Sequence, residues 1–161
     1  MGKKILCCAH SSAYALKEAV YPYLKQAGYD ITDLSPGAEG DPRPYYEAGA
    51  LAAQKVAAGE YDLGLVFCGS GMGVCLAANR FSRVYCAACE SIYTATQARR
   101  VNNANILALG GDVVAPAMAC KMAEAFINTE FLEGFPQAKQ EELDQALQAL
   151  NQIDYQAHHL K

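Results

Sequence analysis

An apolar run that ends in a cysteine and a glycine-rich turn constrains this chain more than any other feature. The run covers residues 63–68, and glycine then occupies positions 69, 71 and 73, with Ser70 in the first gap. This pattern predicts a buried strand, a chain reversal and a helix. The reversal would expose backbone N–H groups at a helix N-terminus, where negative charge is favoured, and would place the Cys68 thiol beside them. The alternative is a plain strand-to-helix turn with a buried structural cysteine.

Strand-like and helix-like segments alternate along the whole chain. Strands are predicted at residues 4–9, 30–34, 63–67, 83–88 and 106–110, and helices at 13–27, 45–58, 73–79, 91–101, 115–128 and 137–152. Pro22 should kink the first helix or open a new turn, and residues 35–44 read as a loop. The alternation predicts an α/β fold with a parallel, doubly wound sheet. Cys68 would then stand at a strand's carboxyl end, where such sheets bind ligands.

Composition narrows the class of protein. The 161 residues suit a single domain, and the net charge of −4 gives no basic footprint for nucleic acid. The apolar segment near the start is too short for a signal or a membrane span, so no membrane partner is expected. Seven cysteines without a secretory signal indicate a reducing, cytoplasmic location. The polar tail at 154–161 is expected to be flexible.

Neither a metal nor a cofactor is expected. Cys86 and Cys89 have the spacing of zinc ligands or of a redox pair, but they lie in an apolar, strand-like run and no second pair of ligands follows them. Binding of FMN or a nucleotide at the glycine turn is disfavoured, because the turn lacks a hydroxyl-rich phosphate loop and the chain has no tryptophan to stack on a flavin.

Several motifs in a fixed order carry a family resemblance. They are a small residue before His10, a proline-tyrosine segment before the second helix, the cysteine-glycine turn at 68–73 with Ala77-Ala78-Asn79, and the asparagine-rich stretch at 99–111. This order resembles ribose-5-phosphate isomerase type B and the related galactose-6-phosphate isomerase subunits, from Lys4 to about Leu150. The turn and the asparagine-rich stretch are specific only in combination.

The resemblance implies a fold, a reaction and an assembly. The fold is a flavodoxin-like, Rossmann-type three-layer sandwich with a five-stranded parallel sheet. The reaction interconverts aldose and ketose phosphates through an enediolate, with sites shared between the subunits of a homodimer or homotetramer. Cys68 would take the proton from carbon. Ser70 and the backbone of the glycine turn would hold the oxyanion, which is the arrangement that enolisation needs; the turn residues concerned are Gly69, Gly71 and Gly73.

The same resemblance implies which residues bind the substrate. His10, Tyr46 and Asn102 match the family's histidine after the first strand, its tyrosine in the second helix and its sugar-binding asparagine. Arg43, Arg99 and Arg100 are further candidates for holding a phosphate, because expected arginines are missing elsewhere.

The chain departs from the family at five positions in or near the site. Ala9 replaces an aspartate and Val101 replaces the histidine that opens the sugar ring. Asp112, Phe135 and Lys139 replace arginines, and an aspartate there would repel a phosphate dianion. One interpretation is a substrate that lacks phosphate or is already open-chain, such as a keto sugar or keto-uronate. The others are a phosphate held by different cations, and a non-catalytic or partner subunit of a hetero-oligomeric isomerase.

Overall fold

Five parallel strands form the centre of the molecule. The computed structural model describes residues 2–35 and 43–159, with side chains as far as residue 153. The strands run in the order β2-β1-β3-β5-β4, and they are β1 (Lys4–Ala9), β2 (Asp30–Asp33), β3 (Leu63–Cys68), β4 (Cys86–Ala88) and β5 (Ile106–Gly110). This order differs from that of flavodoxin only in that the last two strands are exchanged. The predicted five-stranded parallel sheet is confirmed.

Helices cover both faces of the sheet. After a 3-10 turn at Ser11–Ala13 they are α1 (Tyr14–Gln26), α2 (Tyr45–Ala57), α3 (Met72–Ala78), α4 (Ile92–Arg100), α5 (Pro116–Asn128) and α6 (Gln137–His159). Buried residues of α1, α4 and α5 pack with one face of the sheet, and those of α2 and α3 pack with the other. The predicted three-layer, flavodoxin-like sandwich is therefore confirmed. None of the described helices is long and apolar enough to cross a membrane.

The register of the central strand determines which residues meet. Every residue of β3 is buried, because helices cover it on both faces. Ala9 of β1 pairs with Phe67, and Cys68 pairs with Gly110 of β5. The carboxyl ends of β1, β3 and β5 therefore share one edge of the sheet, and the segments that follow them lie next to one another.

Some predicted boundaries are wrong, each for a local reason. The fourth strand is shorter than predicted because Arg83 takes a left-handed backbone conformation (φ 64°) and the Tyr85 N–H bonds the Asn105 side chain rather than a neighbouring strand. Pro22 opens no new turn, since α1 runs through it as one helix. The last helix extends to His159, so most of the tail is helical backbone. Residues 160–161 and most of the predicted loop at 35–44 lie outside the described residues.

Candidate active site

Cys68 is the last residue of β3 and lies between the ends of β1 and β5. Its side chain packs with the α2 and α3 layer and is only 5% exposed. The Gly111 N–H donates to the Cys68 carbonyl at 2.9 Å, and the Asp112 N–H donates to the Gly69 carbonyl at 2.9 Å. The thiol is thus held at the base of the turn by the segment that follows β5.

The glycine turn needs glycine because two backbones touch there. Gly71 has a φ of +78°, and a Cβ added to it would lie 3.1 Å from the Gly110 nitrogen. A Cβ on Gly110 would in turn lie 2.7 Å from the Ser70 carbonyl carbon. Ser70 is exposed, and its Oγ accepts a hydrogen bond from the Met72 N–H at 3.3 Å. Because Ser70 accepts this bond, its own hydroxyl hydrogen remains available for an oxygen of a substrate.

His10 follows β1 and is fixed beside this turn. Its N–H donates to the Phe67 carbonyl at 2.9 Å. Its Nδ1 accepts from the Ser12 N–H at 3.3 Å and lies 2.8 Å from the Ser12 Oγ. Since Nδ1 is an acceptor, the proton of the neutral ring is on Nε2. His10 therefore offers an Nε2–H donor.

Two further polar side chains meet at Gly69. A Cβ added to Gly69 would lie 2.9 Å from the Asp112 Oδ2 and 3.5 Å from the Ser12 Oγ. The exposed carboxylate of Asp112 thus stands directly beside the residue that follows Cys68. Sequence reasoning missed Ser12, because only the register of β1 against β3 brings it to the turn.

Tyr45, which sequence reasoning also missed, closes over the turn from the start of α2. A Cβ on Gly73 would lie 2.6 Å from the Tyr45 ring, so the ring occupies the space that this glycine leaves. The Tyr45 and His10 rings meet edge to face with centroids 6.5 Å apart. Tyr46, the predicted binding residue, packs its ring on Tyr45 at 5.6 Å and is 54% exposed. Tyr45 therefore contacts the glycine turn directly, whereas Tyr46 contacts the ring of Tyr45.

Arg43 lies at the same edge of the sheet as Cys68. Its Nη1 donates to the Leu34 carbonyl at 3.0 Å and approaches the Cys8 sulfur at 3.7 Å. Burial raises the pKa of the Cys8 thiol, although Arg43 opposes this shift. Cys8 is therefore a neutral thiol at neutral pH, and Arg43 holds the ends of β1 and β2 together.

Asn102 lies at the opposite end of the sheet from Cys68. Gly64 pairs with Ile106 and Cys68 pairs with Gly110, so the segment before Ile106 is at the amino edge. At ~3.3 Å per residue, the four steps from Ile106 to Gly110 span about 13 Å. Asn102 is exposed there. Within one chain Asn102 cannot touch a substrate bound at Cys68, so it could contact such a substrate only from a second subunit.

Arg99 is part of the fold rather than a free cation. It is 7% exposed, and its Nη1 donates to the Ala104 carbonyl at 2.7 Å and to the Asn103 Oδ1 at 3.0 Å. Burial lowers the pKa of its guanidinium, although nearby Glu130 opposes this. These contacts close the loop before β5. Arg99 was predicted as a phosphate ligand, but in the described chain its guanidinium is engaged in these contacts.

Arg100 stacks on Phe135, one of the residues that replace a family arginine. Its guanidinium carbon lies 3.9 Å from the ring centroid, and its Nε donates to the Glu133 carbonyl at 2.6 Å. A cation is thus retained at this position, supplied by α4. Lys139, another replacement, pairs with Glu142 at 2.6 Å.

Cys86 and Cys89, which have the spacing of metal ligands, lie on different faces of the sheet. Cys86 packs with the α2 and α3 layer, whereas Cys89 belongs to the core on the other face of the sheet. Among the described side chains, no group of three or more histidine, cysteine or acidic residues could hold a metal ion.

The comparisons match this parallel sheet, with a cysteine and a glycine turn at the end of its central strand, to a family of sugar isomerases. The chain belongs to the ribose/galactose isomerase family, whose model matches residues 5–145. It is an isomerase, and the resemblance drawn from the motifs is confirmed.

Two relatives and one solved structure show how similar this chain is to known isomerases. The chain is 41% identical over 151 residues to the 4-deoxy-4-sulfo-D-erythrose isomerase of a Clostridium species (strain MSTE9), covering 94% of this chain and 95% of that protein. It is 33% identical over 135 residues to the D-erythrulose-4-phosphate isomerase of Pectobacterium atrosepticum, covering 84% and 89%. The structure of ribose-5-phosphate isomerase B from Clostridium thermocellum superimposes with a TM-score of 0.85 at 31% identity, covering 96% of this chain and 99% of that one.

Proposed function

We propose that this protein interconverts the aldose and ketose forms of a four-carbon sugar that carries a sulfonate at its last carbon. The observation that carries this proposal is the position of Asp112. Its carboxylate lies beside Gly69, the residue that follows Cys68, and the resemblance implies a phosphate-binding arginine at this position. Cys68 and the glycine turn suit the enolisation of a sugar, whereas the negative charge of Asp112 disfavours binding of a phosphate dianion.

The proposed reaction uses one base and one set of donors. The Cys68 thiolate removes the proton from the carbon beside the aldehyde, an enediolate forms, and the same thiol returns a proton to the former aldehyde carbon. The Ser70 hydroxyl and the backbone N–H groups of the glycine turn stabilise the charge on oxygen. His10, through Nε2–H, donates to a further substrate oxygen. The hydroxyl proton of the second carbon passes to the former aldehyde oxygen, so the second carbon is oxidised while the first is reduced. The two changes balance within the substrate, and the reaction needs no external oxidant or reductant.

The length of the substrate accounts for Val101. A four-carbon aldose closes a five-membered ring only through the hydroxyl of its last carbon. When a sulfonate or a phosphate ester takes that position, the ring cannot form and the sugar stays open-chain. An isomerase of such a substrate has no use for the ring-opening histidine that Val101 replaces.

The charge of the substrate accounts for Asp112. A phosphate monoester carries about −1.5 to −2 at neutral pH, whereas a sulfonate carries a single negative charge. Repulsion by Asp112 is therefore up to twofold smaller for the sulfonate. The relative with 41% identity is named as an isomerase of a sulfonated four-carbon sugar, and the one with 33% identity as an isomerase of a four-carbon sugar phosphate. Both names fit a four-carbon substrate, and the negative charge of Asp112 favours the sulfonated one.

We propose that a second copy of the chain completes each site in a homodimer or a larger homo-oligomer. Asn102 and Arg100 would approach Cys68 of the partner, and Arg100 would hold the substrate's anionic group. Large apolar side chains are exposed on α3 and α4, as expected of a contact surface; they include Leu76 (68%) and Tyr93 (71%). Arg100→Met should raise KM for the charged substrate, whereas Arg99→Met should lower the melting temperature instead.

The cytoplasm is the proposed location. All seven cysteines are free thiols in the structure, which suits a reducing compartment.

A substrate panel in deuterium oxide tests the proposed function. The panel contains 4-deoxy-4-sulfo-erythrose, erythrose 4-phosphate and ribose 5-phosphate, and NMR follows deuterium incorporation beside the carbonyl. We expect kcat/KM to fall in that order, with ribose 5-phosphate at least about tenfold below the sulfonate. A highest kcat/KM for ribose 5-phosphate would overturn the substrate assignment. Failure of all three to exchange would favour the non-catalytic or hetero-oligomeric subunit.

A further inference from the structure

Cys75 of α3 and Cys86 of β4 form a thiol pair outside the proposed site. The Cys75 thiol donates to the Cys86 carbonyl oxygen at 3.3 Å, and both side chains pack against the same hydrophobic cluster on the α2 and α3 face of the sheet. Asn79 holds both residues in place. Its Nδ2 donates to the Cys86 carbonyl at 2.9 Å and to the Cys75 sulfur at 3.5 Å, and its Oδ1 accepts from the Cys86 N–H at 2.8 Å. These bonds hold the Cys75 sulfur against residue Cys86.

The surroundings of the two thiols differ in a way that suits disulfide chemistry. The hydrogen bond from the Cys86 thiol lowers the pKa of Cys75 to about 7; burial opposes the shift and the Ala88 N–H assists it. The same hydrogen bond, together with burial, raises the pKa of Cys86. Cys75 is thus the stronger nucleophile of the pair at neutral pH, and Cys86 lies ready to attack it after oxidation.

The remaining thiols outside the proposed site lack these properties. All four are buried, and burial raises the pKa of each; they are Cys7, Cys8, Cys89 and Cys120. Cys75 is only partly buried. Cys89, although near in sequence to Cys86, packs on the opposite face of the sheet.

We propose that Cys75 and Cys86 are a peroxide-oxidised pair that closes to an intramolecular disulfide. The Cys75 thiolate attacks one oxygen of hydrogen peroxide, so that an S–O bond forms, the O–O bond breaks and hydroxide leaves. The Cys86 thiol then loses its proton to solvent and attacks the Cys75 sulfur; the S–S bond forms and the sulfenic oxygen leaves as hydroxide. Two thiols are oxidised by two electrons, and the peroxide is reduced to two molecules of water.

Peptide mapping tests the disulfide without reference to turnover. The native protein is treated with hydrogen peroxide, blocked with N-ethylmaleimide and digested with trypsin without reduction. Cleavage after Arg80 and Arg83 leaves Cys75 in peptide 56–80 and Cys86 in peptide 84–99. We expect these two peptides to be linked, with fragmentation placing the bond between Cys75 and Cys86. Because the readout is the thiols themselves, its failure is distinguishable from failure of the proposed function.

Matched variants separate this pair from the other cysteines of the same peptides. Cys75→Ser and Cys86→Ser should each abolish the link, whereas Cys89→Ser and Cys68→Ser should retain it. A link that persists in Cys75→Ser or in Cys86→Ser, or that disappears in Cys89→Ser, would overturn the proposal. So would the absence of any link at peroxide concentrations that convert Cys75 to higher oxidation states.

Alkylation of the reduced protein gives a second, independent measurement. Cys86→Ala removes the hydrogen-bond donor to Cys75, so the rate of iodoacetamide reaction at Cys75 near neutral pH should fall about threefold or more. Cys120→Ala, far from the pair, should leave that rate unchanged. An unchanged rate in Cys86→Ala would show that Cys86 does not activate Cys75.

Discussion

The backbone N–H of Ser12 donates a hydrogen bond to the Nδ1 atom of His10 at 3.3 Å, and the Ser12 hydroxyl lies 2.8 Å from the same atom. The two groups keep the ring in one tautomer, with the proton on Nε2. An imidazole fixed in this way can donate to a substrate oxygen without reorienting.

The tautomer of His10 can be measured directly. In isotope-labelled protein, the nitrogen chemical shifts of His10 should show Nε2 protonated and Nδ1 unprotonated at a pH at which the ring is neutral. Ser12→Ala removes only the hydroxyl contact, so it should lower kcat/KM about three- to tenfold, and Ser12→Thr should restore most of the loss. An Nδ1-protonated His10 in the wild type would contradict the assignment.

The salt bridge between Lys17 and Asp33 should contribute strongly to stability. The Lys17 ammonium is 1% exposed and lies 2.6 Å from the Asp33 carboxylate. Asp33→Ala would leave this ammonium buried with the exposed Glu18 and the Tyr14 ring as its remaining partners, and should lower the free energy of unfolding by about 3 kcal/mol. Glu60→Ala, which breaks the exposed pair with Lys55, should cost less than about 1 kcal/mol. Equal losses in urea titrations would contradict this account.

The same salt bridge predicts a dependence of stability on pH. Burial opposes ionisation of Asp33, but hydrogen bonds from Lys17 and Ser35 outweigh it and hold the pKa of Asp33 below its ordinary value. The contribution of Asp33 is therefore present at neutral pH and is lost as the pH falls through the lowered pKa of the folded state. Wild type should lose more stability than Asp33→Ala between about pH 5 and pH 3. Parallel stability curves for the two proteins would show that Asp33 is not the titrating group.

The sequence predicted the strands better than the segments between them. The bounds of β1 and β5 were predicted correctly, because each is a continuous apolar run with a sharp end. The fourth strand was predicted too long, since Tyr85 and its neighbours look strand-like while Arg83 takes a left-handed conformation. Asn105, just before β5, holds this segment: its Nδ2 donates to the Arg83 carbonyl and its Oδ1 accepts from the Tyr85 N–H.

Only part of the candidate site was accessible to sequence reasoning. The alternation of strands and helices placed Cys68 and the glycine turn at the carboxyl edge of the sheet. Ser12 and Tyr45 are brought there by the register of β1 against β3 and by the packing of α2 over Gly73, and neither is visible along the chain. The burial of Arg99 was missed for the same reason, since its partners lie in the loop before β5 and at Thr129.

Asp112 should set the preference between sulfonate and phosphate. Replacing it by asparagine removes a repulsion on the order of 1–4 kcal/mol at short range. Asp112→Asn and, more strongly, Asp112→Arg should therefore raise kcat/KM for erythrose 4-phosphate relative to the sulfonated sugar, by at least about fivefold. Asp144→Asn makes the same change of charge on α6 and should leave the ratio as it is. An unchanged ratio in both Asp112 variants would remove this residue from the specificity argument.

Mixed oligomers test whether sites are shared between subunits. Cys68→Ala and Asn102→Ala should each be inactive alone. After joint refolding, about a quarter of wild-type activity should return, because half of the randomly assembled dimers are mixed and each contains one intact site. Cys68→Ala refolded with itself is the control. Mixed dimers that form but stay inactive, or a strictly monomeric protein, would contradict a shared site.

The central claim is that Cys68 takes the proton from carbon. The most direct test compares deuterium incorporation into 4-deoxy-4-sulfo-erythrose by the wild type and by Cys68→Ser, with Cys120→Ser as a matched control and the melting temperature as a check on folding. Because a serine hydroxyl is too weak an acid to be present as the base at neutral pH, Cys68→Ser should exchange about a thousandfold more slowly while folding normally. Exchange by Cys68→Ser within about tenfold of the wild-type rate would contradict the claim.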